Sequence, residues 1–375
     1  MDNSELGRWL VLRRAGFGSH NFALLLRRFG AISAAWEAPA DELARAGIDQ
    51  SYIRAMARAR ETWEPADEVR LTEEAGARTV TWMDAEYPAL LRDIPQSPPV
   101  LIVRGSIGPG QPLAVAVVGT RRVTPYGRQV TEQFCEGLSA AGVTIVSGLA
   151  RGVDAIAHRV AVERGTPTVG VLAGGIDEIY PREHEGLAGR IAERGCIASE
   201  YPIGIPARPD YFPRRNRILS GLAVATLVTE AGEGSGALHT ANWAFEQGRD
   251  VFAVPGSVLS RQSVGCHRII RDHVARLVTT PEELLAEIQV LAPGSQYPME
   301  RPFGLRSATP AQVLEPDEAA IVSALGAAPQ HIDEVARATG QPVARLAALL
   351  ALLELRGIVE QGGPMTYALA TRAAR

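Results

Sequence analysis

The sequence contains no lysine: all 38 of its basic residues are arginine. A Walker A loop needs its lysine, so an ordinary P-loop ATPase is excluded. Schiff-base and pyridoxal chemistry need the same amine and are excluded with it. Every cationic contact is instead a planar guanidinium, suited to bidentate phosphate binding and to stacking on bases. Cysteine is scarce as well. Cys135, Cys196 and Cys266 are odd in number, far apart and form no CxxC pair, which argues against a disulfide framework or a zinc site. No apolar run approaches the roughly 18 residues a membrane span needs. The start, Met1-Asp2-Asn3-Ser4-Glu5, is acidic and polar, unlike a secretory signal, so a cytoplasmic protein is expected. A surplus of positive charge is also missing: the net charge is −4. Any contact with nucleic acid must therefore come from a local patch.

The 375 residues are enough for two or three domains, and the 46% apolar content supports at least one large core. Five short β-like runs each end in a glycine turn. Val115–Val118 leads into Gly119-Thr120-Arg121-Arg122, and Val143–Val146 into Ser147-Gly148-Leu149-Ala150-Arg151-Gly152. Val169–Leu172 leads into Ala173-Gly174-Gly175, Val224–Val228 into Thr229-Glu230-Ala231-Gly232, and Val251–Val254 into Pro255-Gly256-Ser257. Helices are expected over Gly127–Ala141, Ala155–Arg164, Glu183–Arg194, Asn216–Ser220 with a short continuation, and Gly236–Gln247. This alternation implies an α/β fold with a Rossmann-like, doubly wound parallel sheet over residues 66–288. Thr79–Met83 and Val100–Val103 are candidate extra strands.

Residues 1–65 read as a small helical unit of SAM or helix–hairpin–helix type. Such a unit either contacts the DNA backbone through turn amides or packs as a plain domain, and packing is the commoner outcome. Residues 289–315 read as a linker rich in proline. Residues 316–375 read as a winged helix, with helices over Asp317–Leu325, His331–Thr339 and Val343–Leu355 and a hairpin of Ile358–Gln361 and Thr366–Leu369. Its third helix carries Arg345 and Glu354 and is otherwise almost wholly alanine and leucine. A groove-reading helix should be basic, so a protein-interaction wing is favoured over a DNA reader.

In an open parallel sheet the glycine turns line one edge, where ligands bind. Glycine lets backbone amides approach an anion, and arginine supplies charge. Gly119-Thr120-Arg121 stands where a first βα turn holds phosphate, but the segment lacks GxGxxG, so a standard NAD site is not supported. Arg151 adds a cation to the second turn. Asp154 and His158 are one helical turn apart, and a structural bond is the commoner reading of such a pair. Phe212-Pro213-Arg214-Arg215-Asn216-Arg217 offers an aromatic face among arginines, as sequence-tolerant base stacking requires. Glu230-Ala231-Gly232-Glu233-Gly234-Ser235-Gly236 is a third glycine-rich loop, whose amides and Ser235 suit a phosphate at the next helix start.

Together these segments closely resemble the DprA family (DNA processing protein A, also called Smf). The matching stretches are Val117–Arg121, Thr124–Gly127, Ser147–Asp154 through Ala157-His158, Ile179-Tyr180-Pro181, Ser199–Pro202, Phe212–Ile218 and Val254–Ser257. The resemblance implies a cytoplasmic homodimer that binds single-stranded DNA without strong sequence preference. It further implies protection of incoming strands in natural transformation and loading of the RecA recombinase on them. By motif, Gly119, Thr120, Arg121, Gly148 and Arg151 would contact phosphate. Phe212, Arg214, Arg215 and Asn216 would supply stacking and further charge. No catalytic residue, cofactor or metal is implied. Some relatives place a lysine in this pocket, which this chain cannot do. Two other readings stand beside it. One is a nucleotide-processing enzyme of the phosphoribohydrolase (lysine-decarboxylase-like) group, with the loop Gly232–Gly236 and Glu230 as acid or base. That group needs an acid shortly after the loop, where this chain has His239-Thr240. The other is a transcription regulator built on the winged helix.

Overall fold

The computed structural model describes residues 2–106, 113–290, 316–325, 330–355, 358–363 and 365–369. The chain forms two compact units, Met1–Glu300 and Arg301–Arg375.

The first unit opens with six helices: Asn3–Arg14, Ser19–Phe29, Ile32–Glu37, Ala40–Arg45, Gln50–Thr62 and Pro65–Glu74. Asp2 caps the first by accepting from the Glu5 amide at 2.7 Å, and Asp49 caps the fifth through the Ser51 amide. Trp9, Phe17, Phe22 and Leu25 are fully buried, and the Trp9 and Phe22 rings stack at 4.9 Å. This helical core is continuous with one face of the neighbouring sheet, through Val100, Ile102 and Ile197. Glu200 fastens the join, and Arg14, which also donates to the Ile203 carbonyl at 2.9 Å, is held in place by a second buried carboxylate. Glu200 takes both Arg13 (3.1 Å) and Arg217 (2.7 and 2.8 Å), and Glu68 takes Arg14 at 2.6 and 2.9 Å. Burial works against the ionised Glu200 carboxyl, but Arg217 and then Arg13 outweigh it and hold its pKa below the usual value.

The sheet has nine strands: β1 Arg78–Thr81, β2 Val100–Gly105, β3 Ala114–Val118, β4 Thr144–Ser147, β5 Thr168–Val171, β6 Cys196–Ser199, β7 Ala225–Val228, β8 Asp250–Ala253 and β9 Arg276–Leu277. Their order is β1-β2-β6-β5-β4-β3-β7-β8-β9. From β6 to β9 every pairing is parallel, while β1–β2 and β2–β6 are antiparallel. Alternate residues face opposite layers: Ala114, Ala116 and Val118 join one core, Val115 and Val117 the other. Burial on both faces explains the continuous apolar runs of the sequence.

Among the elements that differ from the sequence reading, two matter for the site. Cys196–Ser199 is a strand that the reading did not assign, since a run of four residues with one β-branched member gives little signal. The helix expected from Asn216 begins five residues earlier and spans Tyr211–Gly221, so that it includes Phe212–Arg217. Pro213 lies in the first turn of that helix, where no intrahelical N–H bond is needed.

The second unit holds helices Pro316–Ala324, Ile332–Thr339 and Val343–Leu355 and a small sheet. Strands β10 Gln330–His331, β11 Val359–Gly363 and β12 Thr366–Leu369 pair in the order β10-β12-β11. Leu346, Leu350 and Leu353, spaced along one helix face, are buried with Ile321, Ile332, Val335 and Val359. Arg345 pairs with Asp317. The expected linker beyond residue 290 lies outside the described residues.

Candidate nucleic-acid interface

The strand order reverses at β3. The chain leaves it for β4 on one side and reaches β7, on the other, only after β6. Such a switch point opens a crevice beyond the carboxyl ends of the strands. Here the crevice is a cleft of about 590 Å³, lined by Gly119–Arg122, Tyr180, Phe212, Arg215, Asn216 and the loop Gly234–Gly236, among others.

The first wall is the turn after β3. The Thr120 amide donates to the Glu230 carbonyl at 2.7 Å, and the Thr120 carbonyl accepts from Val153 at 3.2 Å. The Arg122 amide donates to Thr120 Oγ1 at 3.1 Å. These bonds fix the turn, and they leave the exposed side chains of Arg121 and Arg122 as its free donors. Gly152, with φ of 78°, lets the next loop approach closely: a Cβ there would lie 2.2 Å from the Thr120 carbonyl oxygen.

The floor is built around Gly148. Asp154 Oδ2 accepts from the amides of Gly148 (3.1 Å) and Ala150 (3.4 Å). Arg215 Nη1 donates to the Gly148 carbonyl at 2.9 Å and also to that of Val171. A Cβ on Gly148 would stand 2.5 Å from the Arg215 guanidinium, so any larger residue would have to push that buried group off its carbonyl partners. Burial pulls the Arg215 pKa down to about 10, with Asp154 opposing the shift, and the group stays cationic at neutral pH. Burial likewise raises the Asp154 pKa, against the pull of Arg215 and the two amides. Arg215 is thus a buried charge beneath the cleft rather than a surface contact.

The third wall is the helix Tyr211–Gly221 with the loop it anchors. Asn216 is buried and its Nδ2 donates to the Gly236 carbonyl at 3.3 Å. Arg214 is exposed. The Phe212 ring is half-buried, carries Arg121 Cζ at 4.9 Å from its centroid, and meets Tyr180 at 5.7 Å and 66°. The helix Ala237–Glu246 starts at the cleft, with its partial positive end beside Ser235.

The predicted residues therefore fall into three groups. Arg121 and Phe212 are accessible at the cleft, together with Arg122, which the sequence reading did not place in the site, while Arg214 is exposed but does not line it. Gly119, Thr120, Gly148, Arg215 and Asn216 form its frame. Arg151 stands apart: it is exposed, binds Glu183 through two bonds of 2.8 and 2.7 Å, and does not line the cleft. Among the described residues no carboxylate pairs with Arg121, Arg122 or Arg214. Tyr180 is a lining residue that the reading quoted within a motif without giving it a role. Asp154 and His158 do not bond each other. His158 Nδ1 lies 2.8 Å from Thr168 Oγ1, and burial pushes its pKa down to about 3.

A family model described as DNA recombination-mediator protein A matches residues 78–289, and one for the DprA winged helix domain matches residues 306–363. The chain belongs to the DprA family. Protein Smf of Synechocystis is 33% identical over 396 residues, spanning 98% of this chain and 99% of that protein. An X-ray structure of DNA processing protein A from Streptococcus pneumoniae superimposes with a TM-score of 0.68 at 31% identity, covering 76% of this chain and 98% of that one. A Helicobacter pylori DNA processing protein A, whose structure concerns its single-stranded DNA binding mode, gives 0.52 at 26% identity over 58% and 99%.

Within this DprA chain the phosphoribohydrolase alternative is not favoured. Glu230, its candidate acid or base, is buried and accepts from the amide (2.9 Å) and hydroxyl (2.5 Å) of Thr124, the residue that caps the helix Pro125–Ala140. The one carboxylate lining the cleft among the described residues is the buried Asp154. No helix among the described residues is long and apolar enough to cross a membrane.

Proposed function

We propose that this DprA-family chain binds single-stranded DNA in the cleft between β3 and β7, protects it, and loads the RecA recombinase on it, acting without catalysis as a cytoplasmic homodimer. The observation that carries this reading is the pair of exposed arginines, Arg121 and Arg122, that form no ion pair among the described residues and line the cleft with the aromatic pair Phe212 and Tyr180. Guanidinium groups replace counterions along a phosphate chain, while a ring face accepts any base, so the cleft suits a flexible strand and not a fixed sequence. A duplex hides its base faces and would engage the arginines alone. That the Helicobacter pylori relative binds single-stranded DNA supports the choice of ligand.

The test is fluorescence anisotropy with a labelled oligothymidylate, a duplex of equal length and a mononucleotide competitor. Tight binding to the single strand, weaker binding to the duplex and no competition by the mononucleotide are expected. Preference for the mononucleotide would return the phosphoribohydrolase reading. RecA loading is tested separately, by RecA-dependent ATP hydrolysis on strands already coated with a single-strand-binding protein. A shortened lag in the presence of this chain is expected, and an unchanged lag would remove RecA from the proposal.

A further inference from the structure

We propose that Tyr180, not Phe212, is the platform on which a base of the bound strand stacks, and that Phe212 is a positioning residue holding Arg121 and Tyr180 in place. The proposal rests on the single-strand reading above and assigns a base-contacting residue within it.

Two aromatic rings line the cleft among the described residues, and they differ in what already covers them. Phe212 is half-buried and Arg121 lies over its ring at 4.9 Å. A base could reach that face only by displacing a cation–π contact. Tyr180 is 50% exposed, and its hydroxyl has no partner among the described residues. Its one aromatic neighbour meets it at 66°. An edge-to-face pair covers at most one face of one ring, so at least one face of Tyr180 is bare of aromatic contact. Phe212 meanwhile touches both the Arg121 cation and the Tyr180 ring from the first turn of a well-buried helix. Base stacking and phosphate contact are thereby divided between two side chains with one common support.

The experiment compares oligothymidylate with a strand of the same length in which the bases are replaced by abasic tetrahydrofuran units. Both are titrated into wild type, Tyr180→Ala, Tyr180→Phe and Phe212→Ala. Wild type should bind oligothymidylate roughly tenfold more tightly than the abasic strand. Tyr180→Ala should lose most of that ratio while keeping its affinity for the abasic strand, and Tyr180→Phe should retain the ratio. Phe212→Ala should weaken both strands together, since it loosens Arg121. Tyr180 is exposed, so its variants should fold normally. An unchanged ratio in Tyr180→Ala, or a selective loss in Phe212→Ala, overturns the assignment. So does equal wild-type affinity for the two strands, although single-strand binding itself would then survive. Absence of binding to either strand by wild type defeats the single-strand reading, and this proposal with it.

Discussion

Asp154 and Arg215 hold one residue by its two polar ends: Asp154 accepts the Gly148 amide at 3.1 Å, and Arg215 donates to the Gly148 carbonyl at 2.9 Å. Both side chains are buried, and each offsets part of the other's burial penalty. The loop after β4 is therefore clamped from two sides, next to the turn that carries Arg121.

Removing one arm of this clamp should be costly. Asp154→Ala leaves two amides without their acceptor and the Arg215 charge without its nearest opposing carboxylate. A loss of about 3 kcal/mol is expected, measured by urea unfolding. Asp154→Asn, which keeps an acceptor oxygen, should lose less. Equal stability of wild type and Asp154→Ala would show that the clamp is dispensable.

Stability should fall with acid in a window set by His158. Burial pushes its folded pKa down to about 3 from an ordinary 6.5. Between these values the unfolded chain binds a proton that the folded chain does not, so stability drops as pH falls through the window and is complete above it. The slope from this one group is at most about 1.4 kcal/mol per pH unit. Glu200, with a lowered folded pKa, adds a further loss below about 4.5. Asp154, with a raised one, acts in the opposite sense. Comparing His158→Gln with wild type isolates the histidine, because both carboxylates are common to the two proteins. Wild type should lose more in Tm than His158→Gln between pH 7 and pH 5. Parallel curves would mean that His158 is not held neutral.

Arg151 separates what the motif implies from what the fold allows. Its guanidinium is engaged by Glu183 at the surface, so Arg151→Ala should leave single-strand affinity within about twofold of wild type. Glu183→Gln should free the cation and tighten binding. A tenfold loss in Arg151→Ala would instead mean that the strand displaces Glu183 and takes the arginine.

The legible parts of this fold were those with period and length. β3, β4, β5, β7 and β8 are buried apolar runs ended by glycine, and most helices between them follow amphipathic spacing, Val153–Arg164 being buried on nearly every side. Cys196–Ser199 is no shorter than its neighbours, but with a single β-branched residue it gave no strand signal, and the helix expected from Asn216 begins at Tyr211. The cleft's position was legible, because glycine turns gather at one sheet edge. The division of labour among its arginines was not. Arg214 and Arg215 are adjacent in sequence, yet helical geometry sends one to solvent and the other under the Gly148 loop. Neither side's partners are local: Arg151 finds Glu183 32 positions away, and Arg215 finds Gly148 67 positions away.

The most direct test of the cleft is single-strand binding by wild type and the double variant Arg121→Ala/Arg122→Ala, titrated by anisotropy across a range of salt. Both side chains are exposed and without acidic partners among the described residues, so Tm should be unchanged. Expected are a large loss of affinity and a log–log salt slope shallower by about 1.4, two phosphates' worth of counterion release. Wild-type affinity and an unchanged slope in the double variant would contradict strand binding at this cleft.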